Sequence, residues 1–397
     1  MKKKNIILID GNYCLYQTYF SFKKLKNDSK HPTGVLYGYI KILNILITKF
    51  YPKKIIIAFD SSVQTFRHKL YKKYKINRPA MPDDLKKQIS PLKKIIQYLG
   101  IPAIKVNNFE ADDIIGTLSD KFIKKKYYVL IYSADKDMLQ LINKNVSIIP
   151  GTIKKDILNQ NDVYKKFGIK SECIADFLGL VGDISDNIPG VPGIGKKTAA
   201  ILLKNFLSVK KIYQNISQIS TLKIRNYKKI IINLKKNKNQ ALLSSKLTTI
   251  DKNIKLDNLH DIFQNCQLNL SKLKKKLKYY QLKKYLQDID LNQFPIINIY
   301  HKKKNKKKKI EITNKKILTN IIKKIIKKKI FSIAITFRKK NFFIAITLKK
   351  NYTWWYSCNS TKKKNKEINK KIILKMLKPI LENNKYKKIG NDLKKIF

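Results

Sequence analysis

Acidic residues are scarce in this chain: 26 Asp and Glu stand against 87 Lys and Arg, for a formal charge of +61 at pH 7. Such a balance invites a nucleic-acid reading, because lysines that neutralise phosphates release counterions and bind without regard to sequence. Arginine is scarcer still, present only as Arg67, Arg78, Arg225 and Arg338. A chain rich in Lys, Asn, Ile, Tyr and Phe with so little Arg carries the mark of A+T-biased codons. Part of the charge is therefore compositional, and net charge speaks to partners, not to fold. The rare residues say more than the common ones.

Cysteine is also rare. Cys14, Cys173, Cys266 and Cys358 lie far apart, show no C-x-x-C spacing and share no neighbourhood with the four histidines. That excludes a zinc site or a disulfide framework and fits a reducing cytoplasm. Long apolar runs are missing as well. The start, "MKKKNIILIDG", opens like a basic export signal, but Asp10 interrupts it after about five apolar residues, and no stretch approaches the roughly 20 of a membrane span. A soluble, cytoplasmic protein with no membrane association is expected, and 397 residues leave room for two or three domains.

What is present begins with "NIILID" (5–10), "KIIIAFD" (54–60) and "YYVLIYSAD" (127–135). These near-continuous Ile, Val, Leu and Tyr runs read as strands buried on both faces, with helical patterns between them. The expected fold is therefore α/β, a mainly parallel central sheet flanked by helices. From about Ile174 to Asp290 helical patterns take over, punctuated by "IPGVPGIGKKTA" (188–199). Residues 291–309 read as a basic linker. Beyond it, "FSIAIT", "FFIAITL" and "YTWWYS" read as three strands before an amphipathic helix. The expected division is 1–173, 174–290, 291–309 and 310–397.

Each early strand run ends in an aspartate, and open α/β sheets bind ligands beyond the carboxyl ends of their strands. Asp10, Asp60 and Asp135 should converge there. With Glu110, Asp112 and Asp113 of "FEADDIIGTL", Asp137, and Asp183 and Asp186 of "GDISDN", they hold much of the chain's small stock of acid. Acids in first turns and at strand ends also serve helix dipoles and turns, which suffices for any one group. Together in one cleft they would repel each other and raise their own pKa values unless cations were present. Oxygen-only donors suit Mg²⁺ or Mn²⁺. Two or more such ions, about 4 Å apart, can assist in-line hydrolysis of a phosphodiester.

Between Asp60 and Glu110, "TFRHKLYKKYKINRPAMPDDLKKQI" (65–89) interleaves aromatic and basic residues, a pattern suited to unpaired bases and backbone phosphates, and equally to a solvated basic helix. It holds Arg67 and Arg78, two of the rare arginines. The glycines of "GVPGIGKKTA" permit close backbone approach, and a helix starting near Lys196 would aim free N–H groups at a phosphate.

These motifs, with "EADDIIGTL", "SADKDMLQL", "GDISDNIPGVPGIGKKTA" and "YKINRPAMPDDL", closely resemble the 5′ nuclease domain of bacterial DNA polymerase I, a relative of the flap endonucleases, over about residues 1–290. The resemblance implies a Mg²⁺-dependent 5′ to 3′ exonuclease and flap endonuclease acting on DNA with 5′ flaps or nicks and on RNA–DNA primer junctions. It implies a helical arch over about 61–98, with Tyr74, Lys75 and Arg78 handling the 5′ strand and the scissile phosphate. Asp10, Asp60, Glu110, Asp112, Asp113, Asp135, Asp137, Asp183 and Asp186 would be its metal carboxylates, with Asp113 and Asp135 catalytic. Tyr16, Arg67, Tyr74, Lys75 and Arg78 would contact DNA. So would Gly190, Gly193, Gly195, Lys196 and Thr198, in a helix-hairpin-helix over 188–205 that in relatives holds a monovalent cation. A nucleoid-associated monomer that hands its product to a separate polymerase and ligase follows from the same resemblance.

Two positions depart from the family pattern: Gln17 stands where arginine is common, and Ala134 where glycine is usual. Residues 310–397 weakly resemble the start of a ribonuclease H-like proofreading domain, yet the strand that should carry Asp-x-Glu reads "FSIAITFRKK", without an acid. The tail is expected to be a degenerate remnant with no proofreading activity, and no polymerase motif follows. Two other readings share parts of this pattern: a DNA-binding remnant without catalysis, and an RNA-cleaving PIN-type nuclease, which would lack the arch and the glycine turn.

Overall fold

The structure, a computed structural model, describes residues 4–151, 156–256, 266–291, 293–296, 308–338, 341–349, 352–358 and 368–390. Most of the expected basic linker and the last residues of the tail lie outside these. The chain divides into two compact units, Met1–Tyr300 and His301–Phe397.

In the first unit, β1 (Asn5–Asp10), β2 (Lys54–Phe59), β3 (Ala103–Lys105), β4 (Tyr128–Tyr132) and β5 (Val146–Ile149) form a sheet in the order β3-β2-β1-β4-β5, every pair parallel. Central β1 is covered on both sides: Ile6 and Leu8 enter one apolar cluster, Ile7 and Ile9 the other. That is why its sequence is continuously apolar rather than alternating. The strands β3 and β5 were not expected from the sequence. They are three and four residues long, too short to show a period.

Helices α1 (Gly11–Ser21), α2 (Gly34–Phe50), α3 (Phe66–Leu70), α4 (Asp83–Tyr98) and α5 (Ala111–Lys124) follow the first three strands. After β5 come α6 (Gln160–Phe167), α7 (Ile174–Val181), α8 (Lys196–Phe206), α9 (Val209–Gln214), α10 (Tyr227–Lys236) and α11 (Lys238–Thr248), then α12 (Leu270–Tyr279) and α13 (Lys283–Asp290). Residues of α1, α2, α4, α12 and α13 pack with Ile7 and Ile9, whereas α5 packs with Ile6 and Leu8. Helix α1 starts without a linker because the Asp10 side chain caps it, accepting from Tyr13 N at 2.9 Å. Only glycine fits at position 11, since a Cβ there would lie 2.6 Å from the Ala58 carbonyl oxygen.

The helical region after residue 174 has no separate core. Leu202, Leu203, Ile212 and Leu234 belong to the same apolar cluster as Ile6 and Val129 of the sheet. The carboxyl edge of the sheet and the α7–α8 turn are thus held by one body of packing.

In the second unit, β6 (Lys308–Glu311), α14 (Lys315–Lys328), β7 (Ile330–Arg338), β8 (Asn341–Lys349), β9 (Tyr352–Cys358), α15 (Lys370–Leu381) and β10 (Lys387–Ile389) form a mixed sheet ordered β10-β7-β8-β9-β6 with two helices. The three strands read from sequence are the antiparallel centre, and short parallel strands join both edges. Leu318, Ile321 and Ile325 of α14 and Ile373 and Leu377 of α15 share a cluster with Phe331, Ile333, Ile344, Ile346 and Trp354. Among the described residues of the chain, no helix is long and apolar enough to cross a membrane.

A shared core has a thermodynamic consequence. Leu202 is wholly buried, so Leu202→Ala should cost about 3 kcal/mol. Calorimetry of the variant should show the sheet and the helices of Met1–Tyr300 melting together at a lower temperature. A separate transition for α7–α11 would show that the core is divided.

Candidate metal centre

The parallel sheet aims its strand ends at one edge, and the acids gather there. Asp10 ends β1, where its second oxygen accepts from Ser133 Oγ at 3.0 Å. Asp60 follows β2 and is held from two sides, by Asn12 Nδ2 at 2.6 Å and by Ala111 N at 2.8 Å. Glu110 is the N-cap of α5, which puts Asp112 in the first turn beside it. Asp135 follows β4 and accepts from Asp137 N at 3.0 Å. A second knot forms where Asp137, Asp183 and Asp186 offer carboxylate oxygens within 4.8 Å of one another. One Asp137 oxygen in this knot is buried without a hydrogen-bond partner.

Burial and mutual repulsion set the electrostatics. Desolvation, then the charges of Asp60 and Asp135, push Asp10 up to about 7. Desolvation, then Asp135, Asp186 and Asp183, push Asp137 up to about 8. Asp112 is raised well above its usual range by burial and by Asp135 and Asp10, and Asp60 and Asp135 are raised mainly by burial. Asp183 goes the other way. Burial acts upward on it, but hydrogen bonds from Lys136, whose Nζ lies 2.8 Å away, and from Ser185 hold it below its usual value.

The basic segment closes over these acids. Lys75 Nζ lies 2.8 Å from Glu110 Oε1 and 3.8 Å from Asp186, and Arg78 donates to Asp186 Oδ1 at 2.6 Å. The backbone is pinned too: Lys75 N donates to the Asp186 carbonyl at 2.9 Å and Asn187 Nδ2 to the Lys73 carbonyl at 2.7 Å. Between the five-residue α3 and α4 this segment is a run of turns rather than helix, with Lys75 left-handed at φ 56°.

Three expected site residues take positions the sequence did not suggest. Asp113 is fully buried and its two oxygens receive both terminal nitrogens of Arg67, at 2.7 and 2.8 Å. Arg67, expected at the DNA, is 2% exposed and spends its other donors on Glu110 and on the Leu247 and Thr249 carbonyls. Tyr74, expected to stack on an unpaired base, is 4% exposed, its hydroxyl donating to Glu110 at 3.1 Å and reaching Asp186 at 3.4 Å. The reason is that Arg67 and Tyr74 each have a carboxylate partner at the start of α5 while Asp113 has Arg67, and a buried polar group keeps its partner.

The glycine turn joins α7 to α8. Gly190 and Gly193 are left-handed at φ 65° and 78°, and a Cβ on Gly190 would sit 2.5 Å from Gly182 N. Gln240 and Asn233 donate to the Gly190 and Pro192 carbonyls, which holds the turn against α10 and α11. Gly193, Gly195 and Lys196 face solvent and Thr198 is half-buried. On α1, Tyr16 is half-buried and stacks on the exposed Phe20. Gln17 faces inward, accepting from Tyr132 Oη at 2.7 Å and donating to the Gly151 carbonyl. Asn12, Ser133 and Lys136, which orient Asp60, Asp10 and Asp183, had no motif of their own. Their only signal is adjacency to a strand-ending aspartate.

Buried carboxylates with hard oxygen donors, beside Lys75, Arg78 and Lys136, could hold divalent cations. Residues 5–168 match the family described as 5′-3′ exonuclease, N-terminal resolvase-like domain, and residues 169–271 the one described as 5′-3′ exonuclease, C-terminal SAM fold. A 5′-3′ exonuclease of Buchnera aphidicola subsp. Baizongia pistaciae is 47% identical over 256 residues, 64% of this chain and 84% of the relative. One from Aquifex aeolicus is 35% identical over 288 residues, 72% of this chain and 96% of that protein. A Pseudomonas aeruginosa DNA polymerase I is 37% identical over 258 residues, 65% of this chain but 28% of the polymerase. A phage T5 5′-exonuclease with bound zinc superposes with a TM-score of 0.50 at 22% identity, covering 70% of this chain and 98% of the other. A T5 flap endonuclease complexed with DNA and metal ions does so at 0.50 and 21%, covering 75% and 99%. Both share the fold.

The raised carboxylates carry a sign that can be measured. A group whose folded pKa lies above its unfolded value stabilises the fold while protonated and ceases to as pH rises through the folded value. In chelator, Asp137→Asn should therefore melt higher than the unaltered chain at about pH 8.5, and that advantage should shrink toward about pH 5. An advantage that does not change with pH would mean that Asp137 is not strained by its charge.

Proposed function

The chain belongs to the 5′-3′ exonuclease family, and on that premise we propose that it is a divalent-metal-dependent 5′ to 3′ exonuclease and flap endonuclease. Its substrates would be DNA with 5′ flaps or nicks and RNA–DNA primer junctions in replication and repair. One observation carries the reading: the acids gather at the carboxyl edge of the sheet with Lys75 and Arg78 lying across them.

Asp10, Asp60, Glu110, Asp112, Asp135, Asp137, Asp183 and Asp186 would hold Mg²⁺ or Mn²⁺. Two such ions would supply an activated water and take up charge on the leaving oxygen. The chain's own residues do the rest. Lys75 and Arg78 exchange their carboxylate partners for the scissile phosphate, where a fork of N–H donors suits two oxygens at once. Tyr74 and Arg67 hold Glu110 in place. The α7–α8 turn offers Gly193, Gly195, Lys196 and Thr198 to the phosphates of the duplex, and a monovalent cation would bind at the same turn. Tyr16 with Phe20 gives an aromatic surface on α1. The product would be sealed by a polymerase and ligase acting separately, and the nuclease would work as a monomer at the nucleoid. The second unit would contribute no proofreading chemistry, a reading supported by the acid-free sequence of β7.

The test is cleavage of labelled flap, nicked and single-stranded substrates with Mg²⁺ or with chelator. Flaps and nicks should be cut with metal only, and Lys75→Met should lose about 100-fold or more in turnover. Asp112→Asn should abolish cleavage and leave a stable fold. Asp113→Asn should instead destabilise, since it unpairs a buried arginine at a cost of about 3–5 kcal/mol. Because protons compete with metal at Asp10 and Asp137, the Mg²⁺ needed for half-maximal rate should rise as pH falls below about 8. Tight binding without cleavage would identify a DNA-gripping remnant, and equal cleavage of single-stranded RNA would identify a PIN-type ribonuclease.

A further inference from the structure

Among the described residues, the helices of the second unit cover one face of its sheet. Side chains alternate, so Phe331, Ile333, Ile344, Ile346, Trp354 and Tyr356 point into the helix-covered core. Ser332, Ala334 and Thr336 of β7, Phe343, Ala345 and Thr347 of β8, and Thr353 and Trp355 of β9 therefore share the opposite face. The register sets Thr336 opposite Phe343, and puts Ala334, Ala345 and Trp355 in one row. Phe343 and Trp355 are diagonal neighbours beside an alanine floor, a spacing of about 7–8 Å, with Phe343 exposed and Trp355 half-buried. The result is a cavity of about 610 Å³ lined by Ala334, Thr336, Phe343, Ala345, Thr353 and Trp355.

This face is uncovered among the described residues. Phe343 is 40% exposed, and two isoleucines toward the β10 edge, Ile330 and Ile389, are 43% and 52% exposed. Soluble proteins rarely leave such a patch without use. Its chemistry is specific: flat aromatic rings, small floor residues and a border of hydroxyls, with Thr347 and Thr353 bonded to each other at 3.0 Å. The sequence of this unit is strongly basic. Residues 301–397 contain only Glu311, Glu367, Glu382 and Asp392 as acids, amid runs such as "HKKKNKKKK" and "TKKKNK". A second copy would be repelled by that charge, whereas a polyanion would be drawn in.

We propose that the open face of the C-terminal sheet, centred on Phe343 and Trp355, is a binding platform for unpaired nucleobases of single-stranded nucleic acid. Bases stack on the two aromatics while the net positive charge of this part of the chain attracts the backbone, which gives affinity without sequence preference. In the context of the proposed nuclease, the strand it would take is the flap itself. A platform tethered in the same chain raises the local concentration of long flaps without a new contact at the metal centre.

Both tryptophans of the chain, Trp354 and Trp355, lie in this sheet, so intrinsic fluorescence reports on it directly. The full chain in chelator should show saturable quenching on titration with oligothymidylate. Phe343→Ala and Trp355→Ala should each weaken that binding about tenfold, the scale of one lost base stack, read by anisotropy of labelled oligomer. Their melting temperatures and their cleavage of one-nucleotide flaps in Mg²⁺ should be unchanged, while long flaps should bind more weakly. Wild-type affinity in both variants would assign the binding to lysine charge alone and overturn the platform. A wild-type dimer in light scattering that Trp355→Ala dissolves would assign the face to a second copy and overturn it equally. Short-flap cleavage by the unaltered chain reads the nuclease proposal separately, so either idea can fail alone.

Discussion

The buried pair of Arg67 and Asp113 organises the first unit. Arg67 donates to Asp113 through both terminal nitrogens, to Glu110, and to two backbone carbonyls at the end of α11, while Asp113 also accepts from Glu110 N and Asp251 N. One guanidinium thus ties α3, the first turn of α5 and residues 247–251 together. Taking two charges out of water is unfavourable unless every remaining donor and acceptor is met, and here they are. Lysine could not do this, since three donors on a point charge cannot serve five acceptors in a plane. In a chain whose composition runs strongly toward lysine, that explains why an arginine stands at 67.

Fixing the first turn of α5 fixes what projects from it. Glu110 and Asp112 face the cleft because Asp113, on the next position round the helix, faces Arg67. The acids they join are held by small polar side chains: Asn12 on Asp60, Ser133 on Asp10, Ser185 on Asp183. Such rigidity comes at a cost to the fold, because aligned carboxylates repel and buried ones resist ionisation. Lys75, Arg78 and Lys136 offset part of that cost from within the chain. Cations of either kind, side chain or metal, complete the same electrostatic requirement.

Much of this was legible before any coordinates. Long central strands were plain because burial on both faces forces a continuous apolar run, and strand-end aspartates follow from where parallel sheets leave their edges. The edge strands β3 and β5 were not, because three or four residues carry no periodicity. Nor were the assignments of Arg67, Asp113 and Tyr74. A charged or phenolic side chain in a basic segment looks the same in sequence whether it faces phosphate or a buried carboxylate. Only the long-range closure of residues 67–78 onto 110–113 and 186 decides between them. Composition gave a partial hint at Arg67, for a residue retained against codon bias has a partner that needs its geometry.

The same bias acts differently on the two sheets. In the first unit the strand ends keep their aspartates although lysine surrounds them, because each acid has a neighbour whose position depends on it. In the second, β7 presents the uncharged Ser332, Ala334 and Thr336 to the open side. An acid there, unpaired beside apolar rings, would oppose a polyanion approaching that face. With none there, an approaching polyanion meets no like charge on Ser332, Ala334 or Thr336. In the proposed roles each composition suits a different contact with a nucleic acid, the first to phosphate through cations and the second to bases through rings.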